Sequence, residues 1–99
     1  MLILAGYFDM APEDREVFLQ DRQAAIALSL TEPGCIEYCF SADSSDPGRV
    51  RLFEMWESPE DLAVHLEVRA ADTTPRTPVN VIARVTERYE VVVSGPLRS

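Results

Sequence analysis

The 99-residue chain predicts an α+β, ferredoxin-like βαββαβ fold with an antiparallel sheet. Three observations carry the prediction. Two apolar runs, 35–42 and 49–57, flank a loop of turn formers. Two helix starts are led by proline, at Pro12 and Pro59. A Pro33-Gly34 pair stops the first helix just before the second strand.

Residues 2–10, rich in Leu, Ile, Tyr and Phe, read as the first strand, and Ala11-Pro12 breaks it. Pro12 suits the first turn of a helix, where its missing N–H is not needed. Glu13 and Asp14 complement the positive helix end, with Asp9 as a candidate N-cap. The helix continues to about Leu30, with Val17, Phe18, Asp21, Ala24, Ala25 and Leu28 on its helical period. Residues 35–42 then alternate. Ile36, Tyr38, Phe40 and Ala42 point one way and Cys35, Glu37, Cys39 and Ser41 the other. Asp43 to Gly48 has the composition and size of a hairpin loop.

The return strand, 49–57, places Val50, Leu52, Glu54 and Trp56 on one face and Arg51, Phe53, Met55 and Glu57 on the other. Ser58 is the N-cap of the second helix, Pro59 its first residue, and Asp61 holds the capping-box position with a short acid. Leu62, His65, Leu66 and Arg69 share one side of that helix. Ala71 to Pro78, rich in Thr and Pro, reads as an irregular loop. Val79 to Val85 fits a strand or a short helix, and 86–94 reads as the last strand before Gly95-Pro96.

A chain of this length is one domain, 1–99, burying about 60–70% of its unfolded surface. Its formal charge of -8 disfavours nucleic acid and anionic membrane as partners, since both need a basic face. The apolar start, Met1 to Phe8, is too short to span a bilayer and lacks a signal peptide's basic region, so the chain is read as cytoplasmic. Cys35 and Cys39, four apart on one strand, lie about 13 Å apart. They cannot form a disulfide and match no common zinc spacing, so they read as reduced, at least partly buried thiols. Both strand faces carry large apolar groups, although helices can cover only one face of such a sheet. The simplest cover for the other is a second copy in a two-fold dimer.

The run Glu32-Pro33-Gly34-Cys35-Ile36-Glu37-Tyr38, the Asp46-Pro47-Gly48 turn, the Phe53-Glu54-Met55-Trp56 strand and His65 nine residues after Trp56 resemble the antibiotic biosynthesis monooxygenase (ABM) domain family. In length and element order the resemblance covers the whole chain, while its specific motifs cover the middle third. It implies a dimeric α+β barrel, two ferredoxin-like subunits packed sheet to sheet, each with a pocket between sheet and helices. It also implies a cofactor-independent monooxygenase acting on a small hydroxylated aromatic or quinol, with no metal, flavin or haem. Relatives that degrade haem need an axial histidine later in the chain. His65 does not match that position and no second histidine exists, so haem degradation is not expected.

Such chemistry asks a protein to hold a flat apolar molecule, take one proton and exclude water. His65 is the first candidate for the proton, because histidine titrates near neutral pH. Glu54, among apolar neighbours, would orient His65 or bind a phenolic hydroxyl. Trp56, Tyr38, Phe40 and Tyr7 are candidate substrate contacts, and Arg84, with Arg88, could bind a phenolate. Each has a plainer structural role: core packing for the aromatics, an ion pair for Glu54, a surface charge for the arginines. Two other functions fit the same residues. One is a dimeric protein that binds a small hydrophobic ligand without turnover. The other, on fold analogy alone, is a lactone isomerase or similar proton-transfer enzyme.

Overall fold

A computed structural model describes residues 1–98. The strands are β1 (Leu2–Met10), β2 (Cys35–Ala42), β3 (Arg49–Trp56) and β4 (Val81–Glu90), and the helices are α1 (Arg15–Asp21), α2 (Gln23–Ser29) and α3 (Pro59–Ala71). A 3-10 turn, Pro12–Asp14, precedes α1. The sheet runs β2-β3-β1-β4 with every pair antiparallel, which is the expected ferredoxin-like arrangement. The inner face of β1 and β3 carries Leu2, Phe8, Met10, Val50, Leu52 and Trp56, which with Phe18, Tyr38 and Leu62 form the buried apolar core. Tyr7 pairs with Arg51, Ala5 with Phe53 and Ile3 with Met55 on the opposite face. That face is also apolar, and the three helices leave it uncovered.

Several local expectations are corrected. Asp9 does not cap a helix. It lies in β1, where both its oxygens accept from Arg49, at 2.7 and 2.9 Å, and Ala11 precedes the 3-10 turn without a side-chain cap. The first helix is not continuous to Leu30. It breaks at Arg22, whose N–H reaches back to the carbonyls of Leu19 and Gln20. The last strand starts earlier than 86 and ends at Glu90, so the ambiguous 79–85 stretch is largely strand and 91–94 lies beyond it. The return strand ends at Trp56, one residue before Glu57.

The strict alternation of residues 35–42 is broken by a register shift between Cys35 and Glu37. A bulge of this kind gives one strand an extra residue and reverses its facing. Cys35 therefore packs against the core beside Tyr38, while Ile36 is 40% exposed. Cys39 lies on the outer face and is exposed, contrary to the expectation of a partly buried thiol.

Two short-range devices fix α3 over the sheet. Ser58 Oγ accepts from the Asp61 N–H at 3.1 Å, as expected of an N-cap, and donates its proton to Asp61 Oδ2 at 2.8 Å. Gly34 takes a φ of +78°, open to glycine at little cost, and a side chain there would collide with Asp61. The turn before β2 and the first turn of α3 are thus packed together.

Candidate functional site

His65 lies two turns into α3 and is only 2% exposed. Its ring stands over Trp56, with centroids 4.6 Å apart, and 5.2 Å from the Tyr38 ring. Nδ1 is 2.9 Å from Oε1 of Glu32, in the turn after α2. Nε2 is 3.9 Å from Oε1 of Glu54, on β3. A carboxylate only accepts hydrogen bonds, so Glu32 makes Nδ1 the protonated nitrogen and turns Nε2 towards Glu54.

Glu54 is 5% exposed and sits between Leu52 and Trp56 on the inner face of β3. Trp56 Nε1 donates to its Oε1 at 3.0 Å. Burial pushes the Glu54 carboxyl above the usual carboxylate range and outweighs the indole hydrogen bond and the nearby imidazole, both of which act downward. Oε2 of Glu32 is buried with no hydrogen-bond partner among the described residues. The buried Glu54 and His65 and the partly buried Glu32 thus share a single seam between α3, β3 and the turn before β2.

The seam opens onto a cavity of about 370 Å³. Phe8, Tyr38, Phe40 and Leu52 form its apolar wall, and Glu54 and His65 its polar end. Phe8 and Phe40 stack with centroids 5.9 Å apart, and Tyr38 tilts against Phe40 at 5.7 Å. Burial, reinforced by the Glu54 charge, pushes the Tyr38 phenol up to about 12, so it is a neutral hydroxyl at physiological pH. Arg22, Arg69, Arg76 and Arg84 also line the cavity. An aromatic wall with a few convergent polar groups is the usual form of a small-molecule site.

Five of the seven candidate site residues meet at this cavity: His65, Glu54, Tyr38, Phe40 and Arg84. Trp56 does not line it. The indole is fully buried behind Glu54 and His65, so it supports those groups and cannot stack on a bound molecule. Tyr7 lies on the other face of the sheet, its ring 3.7 Å beneath the Arg49 guanidinium. Arg88, paired across from Leu4, does not reach the cavity lining.

Sequence reasoning missed Glu32, Arg22 and Arg76. Glu32 stood in the motif only as part of a helix stop. Its contact with His65 spans 33 residues and depends on the Gly34 turn returning to α3. Arg69 shared a predicted helix side with His65, a signal that could have marked it. Among the described residues no group of three or more His, Cys, Asp or Glu side chains is arranged to hold a metal ion. No helix among them is long and apolar enough to cross a membrane.

Comparison with known proteins matches residues 1–73 to the family model described as antibiotic biosynthesis monooxygenase. An uncharacterized protein of Synechocystis sp. is 32% identical over 66 residues, which are 67% of this chain and 45% of that protein. The chain therefore spans under half the length of this curated relative. A candidate antibiotic biosynthesis monooxygenase from Deinococcus radiodurans superposes with a TM-score of 0.79 at 22% identity, covering 100% of both chains. The heme-degrader MhuD of Mycobacterium tuberculosis, solved with two hemes in its active site, superposes with a TM-score of 0.74 at 13% identity, covering 97% of this chain and 100% of its own. At these identities the two solved structures share a fold with the chain.

Proposed function

We propose that this chain, which belongs to the antibiotic biosynthesis monooxygenase family, is a cofactor-independent monooxygenase of small hydroxylated aromatics or quinols. Residues 1–99 would form one such domain, working as a homodimer. The observation that carries this reading is the buried imidazole of His65, held by Glu32 and facing Glu54 at the end of an aromatic-walled cavity.

The 3.9 Å between His65 Nε2 and Glu54 Oε1 is too long for a direct hydrogen bond. It suits one oxygen atom lying about 2.8 Å from each. A substrate hydroxyl or enol placed there gives its proton to Nε2, and the developing imidazolium is stabilised by Glu32. Glu54, with its raised proton affinity, keeps a hydrogen bond on the resulting oxyanion when protonated. Phe8, Phe40 and Tyr38 hold the ring system. The electron-rich anion reduces oxygen and captures it at the activated ring carbon. The peroxide anion takes the proton back from His65 Nε2, and the hydroperoxide then loses water with the hydrogen on that carbon, so one oxygen atom enters the product as a carbonyl and the other leaves in water.

Oxygen uptake with a panel of anthrones and hydroquinones tests this. Turnover should fall at least about 100-fold in His65→Ala, the usual scale of a lost general base. A His65→Ala variant as fast as the wild type on the best substrate would contradict the assignment.

A further inference from the structure

We propose that the molecule bound in this cavity carries an acidic group, a carboxylate or its equivalent, which is held by Arg22 and Arg84 at the end away from Glu54. This deepens the oxygenase reading and rests on it for the identity of the cavity. The chain holds 17 acidic and 9 basic side chains. In such an excess of acid an arginine finds a carboxylate easily, and four of the nine do so among the described residues. Arg49 and Arg51 pair with Asp9 and Asp43, and Arg69 and Arg76 share Asp72.

Of the four arginines that line the cavity, Arg69 and Arg76 share Asp72, and Arg22 and Arg84 stand apart. Neither has a carboxylate within 4.0 Å among the described residues, although both line the cavity. The Arg22 guanidinium is stacked 3.3 Å from the centre of the Phe18 ring, with Nη1 donating to the Phe18 carbonyl at 3.2 Å. The Arg84 guanidinium lies 5.2 Å from the Phe8 ring. Aromatic faces thus position both cations without neutralising them. Burial and the like charges of Arg76 and Arg84 press the Arg22 guanidinium down to about 10, so positive charge is concentrated there.

Of the two charges on Arg69 and Arg76, Asp72 balances only one. Glu54 pairs with Leu4 and Arg84 with Phe8, four residues further along β1, and Arg22 stacks on Phe18 beside Phe8, so these two guanidinium groups lie away from the acid-base pair. Guanidinium groups offer planar paired donors that match a carboxylate. A neutral ligand would leave those donors and their field unused.

The test is a matched pair of probes, 1,4-dihydroxynaphthalene and 1,4-dihydroxy-2-naphthoate, titrated anaerobically against the full chain at low and high salt. The carboxylate should bind about tenfold tighter, the size of one charge-assisted hydrogen bond net of desolvation. That preference should shrink with salt and vanish in Arg84→Gln. Arg22→Gln should behave alike. Because Arg22 also packs on Phe18, the exposed Arg84 keeps the test valid if the Arg22 variant folds poorly. Equal or weaker binding of the carboxylate overturns the acidic-group proposal and leaves the oxygenase reading standing. A carboxylate preference without oxygen consumption by any hydroxylated aromatic supports the anion site and contradicts the oxygenase reading. Binding of neither probe overturns both.

Discussion

At the scale of single residues, the site depends on two carboxylates with different tasks. Glu32 holds Nδ1 of His65 at 2.9 Å and acts through the imidazole, so it is a positioning residue. Glu32→Gln should cost about tenfold in turnover, less than His65→Ala, and should remove the strongly downfield proton resonance expected of a buried Nδ1–H bound to a carboxylate. An unchanged resonance would contradict the pairing. Glu54 has the opposite influence on stability. Its folded carboxyl holds a proton more tightly than the unfolded value of 4.5, because burial penalises its charge. The stability this group contributes is fully present below pH 4.5 and is lost as pH rises through the folded value. Glu54→Gln, which can still accept from Trp56, should therefore flatten that fall in melting temperature and raise stability at neutral pH. A variant with the wild-type pH slope would show that Glu54 is not the group responsible. His65 and Glu54 were legible in the sequence because a lone histidine and an acid among apolar neighbours stand out. The part played by Trp56 was not, since strand parity gives a face but not a depth.

At the scale of elements, the β2–β3 hairpin and the β1–β4 pair carry the sharpest expectations. Asp43 closes the hairpin loop. Oδ2 accepts from the backbone N–H groups of Ser45 and Asp46 at 3.0 and 2.8 Å, and Oδ1 accepts from Arg51 at 2.8 Å. Arg51 foremost, with the two N–H groups, holds the Asp43 carboxyl at about 2, below its ordinary 3.8. Its contribution is present above pH 3.8 and lost as pH falls towards 2, the reverse of Glu54. Asp43→Asn should flatten that acid limb in a pH series of thermal melts. Persistence of the limb would assign it elsewhere. In β1, a side chain at Gly6 would fall on the Val85 carbonyl oxygen of β4. Backbone cannot yield there without parting the strands, so Gly6→Ala should destabilise by about 3 kcal/mol in denaturant melts, and a near-neutral effect would contradict the β1–β4 register. The order of elements, the Ser58 cap and the Pro33-Gly34 stop could be read from local chemistry alone. The bulge near Ile36, the break at Arg22 and the full span of β4 could not. Each is set by pairing between distant segments, which periodicity within one segment does not encode.

At the scale of the whole molecule, the two sheet faces divide the labour. The inner face, closed by helices, holds the cavity. The outer face carries Ile3, Phe53, Met55, Val85 and Tyr89 with no helix over it. A contiguous apolar surface of this kind marks an interaction site. We expect a second copy to cover it, giving a homodimer in which each subunit keeps its own cavity. Sedimentation at micromolar concentration should report a dimer, and Phe53→Glu, on the outer face and away from the cavity, should shift it to monomer. A wild-type chain that sediments as a well-behaved monomer would contradict this. The apolar outer face was visible in the alternation of 49–57, because an open sheet with one wet face does not need large apolar groups on both sides. The four arginines of the cavity were not visible as a group. They converge from the break between α1 and α2, from α3, from the loop after α3 and from β4, and only the fold brings those segments together.

The central claim, that the His65 seam takes a proton from a hydroxylated aromatic, is tested most directly by the anaerobic absorption spectrum of bound 1,8-dihydroxyanthrone below its solution pKa. With oxygen excluded, the ionised ligand accumulates instead of reacting. The wild type should show the long-wavelength band of the anion, and His65→Ala should bind the same molecule with the spectrum of its neutral form. A neutral spectrum in both proteins, with binding demonstrated, would contradict the account.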